Sequence, residues 1–224
     1  MKPMDEKHLA ILRRHMVEVV EIHADLMGEE LGKAVLDERV LAAMLRVPRH
    51  LFVPPPLAPH AYQDTPLPIG FDKTISQPFV VAVMTDLLAP NPHDVVLEIG
   101  TGLGYQSAIL AELVPQVWSV EIVEELANEA ERRLHQLGYS NVRIRVGDGS
   151  RGWAEHAPYD KILVTAAAER PPAALLDQLK PGGRVVLPMG RADSQQLVII
   201  DMDADRHTRI RGLIPVRFSR LETA

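Results

Sequence analysis

The sequence predicts an α/β protein with a doubly wound, mostly parallel sheet of seven strands and an N-terminal helical appendage. Three observations carry this. Residues 94–113, DVVLEIGTGLGYQSAILAEL, pass from a short apolar run through Gly100, Gly102 and Gly104 to Ile109, Leu110 and Leu113 at helical spacing. A buried strand, a glycine turn and a helix form the first unit of a nucleotide-binding α/β fold. Strand-like and helix-like stretches then alternate up to residue 188, which implies parallel strands joined by right-handed crossovers. Two further strand-like stretches, 197–202 and 210–218, follow one another across Asp203-Ala204-Asp205 and add antiparallel edges.

Taken in order, residues 4–27 place Leu9, Leu12, Met16, Val19, Val20 and Leu26 on a helix-period stripe. His8, His15 and His23 recur at seven and eight residues on this helix, too far apart to converge on one ion, and read as solvated surface side chains. Asp37 is a plausible N-cap for a second amphipathic helix through Val40, Leu41, Met44 and Leu45, which Pro48 stops. Six prolines between Pro54 and Pro68 make a stiff, extended connection with few helical options. That stretch reads either as an ordinary linker or as a loop of fixed shape around Tyr62, Asp64 and Leu67.

Pro78 begins a helix carrying Val80, Val81, Met84, Leu87 and Leu88. Ser76 therefore lies at or just before a helix N-terminus. It is either an N-cap or part of a seat for a carboxylate, built from hydroxyl, free amides and helix dipole. After the glycine stretch, residues 117–121 form a second strand ending on Glu121, 21 positions beyond Gly100. An acid at that separation receives ribose hydroxyls; the alternative is a surface glutamate. A helix over 123–137 ends before Gly138, and strand 142–146 leads into Gly147-Asp148-Gly149. Asp148 there either binds an adenine amino group or belongs to an Asp-Gly turn. Residues 159–166 are a central strand, 175–180 end a helix, Pro181-Gly182-Gly183 turn, and 184–188 are a fifth strand.

Composition narrows the function. A 224-residue chain with 46% hydrophobic and 24% charged residues can bury one substantial core. The net charge of −6 argues against a broad nucleic-acid footprint. The absence of cysteine excludes disulfides, thiolate nucleophiles and Cys-type zinc sites, and no metal centre is expected. No apolar run reaches the roughly 20 residues needed to cross a bilayer, and the N-terminus is too charged for a secretory leader. A cytoplasmic protein is expected.

The spacing Glu98-x-Gly100-x-Gly102-x-Gly104 differs from the dinucleotide G-x-G-x-x-G pattern. It resembles the first motif of class I S-adenosylmethionine-dependent methyltransferases, which have a Rossmann-like fold. Seven segments together resemble the protein-L-isoaspartate (D-aspartate) O-methyltransferases: VPRHLFVP at 47–54, AYQDTPLPIG at 61–70, TISQP at 74–78, VLEIGTGLGYQ at 96–106, GDGSRGW at 147–153, APYDKILVTAAA at 157–168 and LKPGGRVVLPMG at 179–190. The proline-rich motif followed by TISQP is the specific part. The chain is thus expected to be a single methyltransferase domain, with residues 1–60 an N-terminal extension and connection and 61–224 the cofactor-binding and catalytic core.

The resemblance implies transfer of a methyl group from S-adenosylmethionine to the free carboxylate of L-isoaspartyl residues, with D-aspartyl residues as a second candidate acceptor. The partners would be damaged proteins and peptides, with no nucleic acid or membrane, and the chain a monomer or small homo-oligomer. It assigns Ser76 to the substrate carboxylate, with Thr74, Ile75, Gln77 and Ile69 shaping the pocket. Glu98, Gly100, Thr101, Gly102, Gly104, Glu121, Asp148 and Gly149 would hold the cofactor. A carboxylate is already ionised at neutral pH, so the lack of a Ser-His-Asp or Cys-His set fits this chemistry. Two segments depart from the resemblance: an added stretch around 21–36 and an ending VRFSRLETA in place of VRFVPL. The alternative acceptor is another peptide or small-molecule carboxylate. A nucleic-acid amino-methyltransferase would need an Asn/Asp-Pro-Pro-aromatic motif where Thr165-Ala166-Ala167-Ala168 stands.

Overall fold

The computed structural model describes residues 5–223. Its helices are α1 (Glu6–Leu26), α2 (Gly28–Leu31), α3 (Glu38–Arg46), α4 (Pro78–Leu88), α5 (Tyr105–Ala111), α6 (Glu124–Gln136) and α7 (Ala173–Asp177). Its strands are β1 (Leu67–Gly70), β2 (Lys73–Ile75), β3 (Val95–Ile99), β4 (Gln116–Glu121), β5 (Val142–Val146), β6 (Tyr159–Val164), β7 (Leu179–Arg191), β8 (Ser194–Met202) and β9 (Thr208–Val216). The seven-stranded sheet has the order β5-β4-β3-β6-β7-β8-β9. The first five strands are parallel, and β8 and β9 pair antiparallel at one side. The chain builds outward from β3 to β5, then returns to the other side of β3 with β6. The crevice at the carboxyl ends of β3 and β6 is therefore the topological switch point, where open α/β sheets bind ligands.

Alternation along the strands divides the core between the two faces of the sheet. Val96, Val117, Leu163 and Val186 pack with α1, α3, α4, α5 and α6. Leu97, Ile99, Ile162 and Val164 pack with α7 on the other face. Glu98 falls on the Val96 face, which places a carboxylate inside the helical layer.

The start expected at Met4 lies outside the described residues; α1 runs from Glu6, with Asp5 as its N-cap, and is otherwise as expected. Its buried face is rotated, however: Val17 and Ala24 are in the core while Leu26 is 75% exposed. Asp37 caps α3 by accepting from the Arg39 amide at 2.8 Å. The short α2 was not foreseen; Gly32 ends it in the left-handed region. The proline-rich connection folds into 3-10 turns at Arg49–Phe52 and Pro55–His60, because proline's fixed φ suits a helical first turn as well as an extended chain. The helix expected to end at residue 180 stops at Asp177, and Leu179 and Lys180 already belong to β7.

The sequence pattern also missed a hairpin. Strands β1 and β2 pair only with each other, with Leu67 opposite Ile75 and Gly70 opposite Lys73. Phe71 and Asp72 at its tip have φ of 53° and 55°. Hairpin turns of this hand usually recruit Gly or Asn, so Phe-Asp carried no turn signal.

Candidate active site

A cavity of about 550 Å³ opens at the switch point, within the size range of small-molecule sites. One end is formed by Ile99, Gly100, Gly102, Val120, Glu121 and Gly149, the other by Thr74, Ser76, Gln77, Ile69 and the chain after β9. A recess of about 50 Å³ adjoins it, lined by Thr101, Ile75 and Tyr105 among others. The structure thus brings the glycine loop and the TISQP segment, distant in sequence, to a single space.

The glycine loop is fixed from below. Gly100 has φ of +94°, and a Cβ there would lie 2.3 Å from the Thr165 hydroxyl. That hydroxyl donates to the Gly100 carbonyl at 2.7 Å and the Ile99 carbonyl at 3.0 Å, tying the end of β6 to the start of the loop after β3. Glu121 accepts from the Gly102 amide at 2.8 Å and from the Val123 amide at 3.0 Å. Both carboxylate oxygens retain lone pairs for a further donor. At Gly149 the constraint is close approach: a Cβ would meet Ile99 Cγ2 at 2.3 Å. Backbone without side chains beside a well-held acid suits a flat, hydroxyl-bearing nucleoside, so the residues present fit the cofactor expected from the sequence.

Glu98, Gly104 and Asp148 do not line the cavity wall. Glu98 is fully buried, and its Oε2 accepts from Ser107 and, at 2.6 Å, from Ser119, whose hydroxyl also contacts Thr101 Oγ1 at 2.6 Å. Burial pushes its carboxyl up to about 7 against the pull of the two serine hydroxyls, with the charge of Glu121 adding to the rise. Its connections are to the floor of the loop. Gly104 is the N-cap of α5. Asp148 caps the next turn, accepting from the Ser150 amide at 2.9 Å and hydroxyl at 2.7 Å.

At the other end, Gln77 rather than Ser76 is the N-cap of α4, and its side chain makes no cap bond. Asp64 supplies the cap from the proline-rich segment: Oδ1 accepts from the Phe79 amide at 2.8 Å, and Oδ2 from Gln77 Nε2 at 2.9 Å. Ser76 is thereby released from capping. Its carbonyl accepts from Arg49 Nη2 at 2.7 Å, and among the described residues its hydroxyl has no hydrogen-bond partner.

His23 is a correction to the surface assignment. Its Nδ1 lies 3.1 Å from Asp64 Oδ2, its ring stacks on Phe79 at 3.8 Å, and with Met27 it lines the cavity. Helical spacing showed only that the three histidines could share a face; it held no signal for a partner 41 residues away. Lys73, paired with Glu222, and Arg217 and Arg220 also line the cavity. Tyr62 does not line the cavity and hydrogen-bonds Arg13 at 3.1 Å and His50 at 2.7 Å. Among the described residues no group of three or more His, Cys, Asp or Glu side chains is arranged to hold a metal ion.

Residues 21–223 match the family model described as Protein-L-isoaspartate(D-aspartate) O-methyltransferase (PCMT). The chain is 55% identical over 221 residues to Protein-L-isoaspartate O-methyltransferase 1 of Polaromonas sp., covering 99% of this chain and 94% of that one. It is 54% identical over 207 residues to Protein-L-isoaspartate O-methyltransferase 2 of Syntrophobacter fumaroxidans, covering 92% and 84%. A solved protein-L-isoaspartate O-methyltransferase superposes with a TM-score of 0.80 at 26% identity, covering 93% of this chain and 65% of the length of that one.

Proposed function

The chain belongs to the protein-L-isoaspartate(D-aspartate) O-methyltransferase family, and from that membership we propose how its cavity performs the reaction. The protein is a repair methyltransferase: it methylates the free carboxylate of L-isoaspartyl residues in damaged proteins and peptides. S-adenosylmethionine is the donor, supplying a methyl group on a positively charged sulfur that departs as a neutral thioether.

In our reading, Gly100, Gly102 and Gly149 give the donor a flat bed, with Thr101 and Gly104 shaping the turn around it. Glu121 receives its ribose diol, and Asp148 stands beside Gly149 at the adenine end. Glu98 acts from below, holding the loop through Ser107 and Ser119. Ser76 donates a hydrogen bond to one oxygen of the substrate carboxylate, leaving the other oxygen free to attack. Thr74, Ile75, Gln77 and Ile69 form the wall against which the isoaspartyl residue lies. No residue has to remove a proton, because the acceptor arrives ionised. The protein's contribution is alignment and exclusion of water, which can be worth several kcal/mol.

The observation carrying this reading is that a free serine hydroxyl and the glycine loop face a single cavity. The test is methanol release from an isoaspartyl peptide beside its aspartyl twin. Turnover confined to the isoaspartyl peptide is expected; equal turnover of both would refute the assignment of the wall.

We further propose that residues 1–224 work as one methyltransferase domain, with 1–60 as helical extension and connection. D-aspartyl residues are proposed as secondary acceptors. The site of action is proposed to be the cytoplasm, as a monomer or small homo-oligomer without nucleic-acid or membrane partners. The net charge of −6 supports the absence of a nucleic-acid partner, and among the described residues no helix is long and apolar enough to cross a membrane.

A further inference from the structure

Arg49 is the largest fully buried side chain, at 0% exposure, and it lies outside the cavity wall. Its Nε donates to the Ala61 carbonyl at 2.8 Å and its Nη2 to the Ser76 carbonyl at 2.7 Å. The guanidinium carbon sits 4.8 Å from the ring centroid of Tyr105, the first residue of α5 and the neighbour of Gly104. Among the described residues no carboxylate hydrogen-bonds it.

A buried cation of this kind is poor value for stability alone, since a well-packed hydrocarbon of similar volume often serves as well. What a hydrocarbon cannot do is hold two carbonyls in fixed directions with one planar fork. The two carbonyls are those at the ends of the segment 61–76, which carries Asp64, Ile69, Thr74 and Ser76. One side chain therefore closes the base of the entire substrate wall and rests it on the first turn of the cofactor-loop helix. Fixing the Ser76 carbonyl also fixes the rotation of that residue's backbone, and so the direction in which its hydroxyl leaves the chain.

We infer that Arg49 is a positioning residue for methyl transfer, setting the Ser76 hydroxyl relative to the glycine loop through the Ser76 carbonyl and the Tyr105 ring. This rests on the reading of Ser76 as the hydroxyl that holds the substrate carboxylate. Misplacing a reacting group by about 1 Å can cost about 100-fold in rate. Arg49 should thus act on turnover and leave ground-state binding of the cofactor alone.

The experiment is a double-mutant cycle on the full chain with Arg49→Met, Arg49→Lys and Ser76→Ala. It measures kcat and KM for an isoaspartyl peptide and Kd for S-adenosylhomocysteine by calorimetry. Arg49→Met is expected to lower kcat about 10- to 100-fold, and by no more than Ser76→Ala does, with KM and Kd within about threefold of wild type. In the Ser76→Ala background the same substitution should change kcat by less than about threefold, because the hydroxyl it positions is gone. Arg49→Lys, whose ammonium can serve one carbonyl, should lose about tenfold, again only when Ser76 is present. It carries the test if the Met variant fails to fold.

An unchanged kcat in the folded variants overturns the inference, and so does an equal loss in both backgrounds or a parallel loss of cofactor affinity. An unchanged kcat in Ser76→Ala alone removes the Ser76 reading and this inference with it. A drop in Ser76→Ala combined with an indifferent Arg49 removes the inference only.

Discussion

Glu121 and Gly102, on different strand-to-helix turns, are joined side chain to backbone: Glu121 Oε2 accepts the Gly102 amide at 2.8 Å. The acid at the end of β4 therefore shapes the loop after β3 while remaining available to a nucleoside. Its removal should cost both functions. Glu121→Ala is expected to weaken S-adenosylhomocysteine binding about 10- to 100-fold, as for loss of hydrogen bonds to a charged group. Glu121→Gln should fall between that and wild type, and KM for the isoaspartyl peptide should barely move. Calorimetry with the cofactor product, alongside peptide kinetics, would check both parts.

Ser76→Ala deletes a hydroxyl that caps no helix, so the fold should be untouched. Loss of one hydrogen bond to an ionised acceptor corresponds to about 10- to 100-fold in kcat/KM. Cofactor affinity should stay within about twofold. A rate equal to wild type would remove Ser76 from the mechanism.

Glu98 makes stability depend on pH. Its folded value of about 7 lies above the ordinary glutamate value of 4.5. Between these two the folded state keeps a proton that the unfolded chain releases, so this group's contribution falls as pH rises through the window and is flat above it. Glu98→Gln removes the dependence. Between pH 4.5 and pH 8 the variant should gain on the wild type by about 1–3 kcal/mol, measured as denaturant midpoints at the two pH values. Equal pH profiles would show that the serine hydroxyls fully stabilise the ionised form.

Gly100→Ala combines a left-handed backbone with a Cβ 2.3 Å from the Thr165 hydroxyl. A loss of about 2 kcal/mol or more is expected in equilibrium unfolding. Adding Thr165→Ala should recover only part of it, because the clash disappears while the φ of +94° remains.

The middle of the sheet was legible because β3 and β4 are short, largely apolar runs that end against Gly100 and at Glu121. Local pattern alone marks such strands, and it brings Gly100 and Glu121 to the cavity, whereas Glu98 lies buried beneath the loop and away from the cavity wall. The hairpin was not legible: Phe71-Asp72 adopts a turn that its residue types do not advertise, and the pairing of Leu67 with Ile75 has no periodic signature across so short a span. His23 and Arg49 were missed for a different reason. Each acts through a partner far away in the chain, Asp64 for one and the Ser76 carbonyl for the other, and spacing carries no record of such contacts. Arg49 stood inside the VPRHLFVP motif, which marked it as characteristic without saying what it touches.

Because β1 and β2 pair with each other and stay outside the seven-stranded sheet, a change of length at the Phe71-Asp72 tip leaves the hydrogen-bonded ladder of that sheet intact. Divergence toward new acceptors would then proceed by rewriting a short insert.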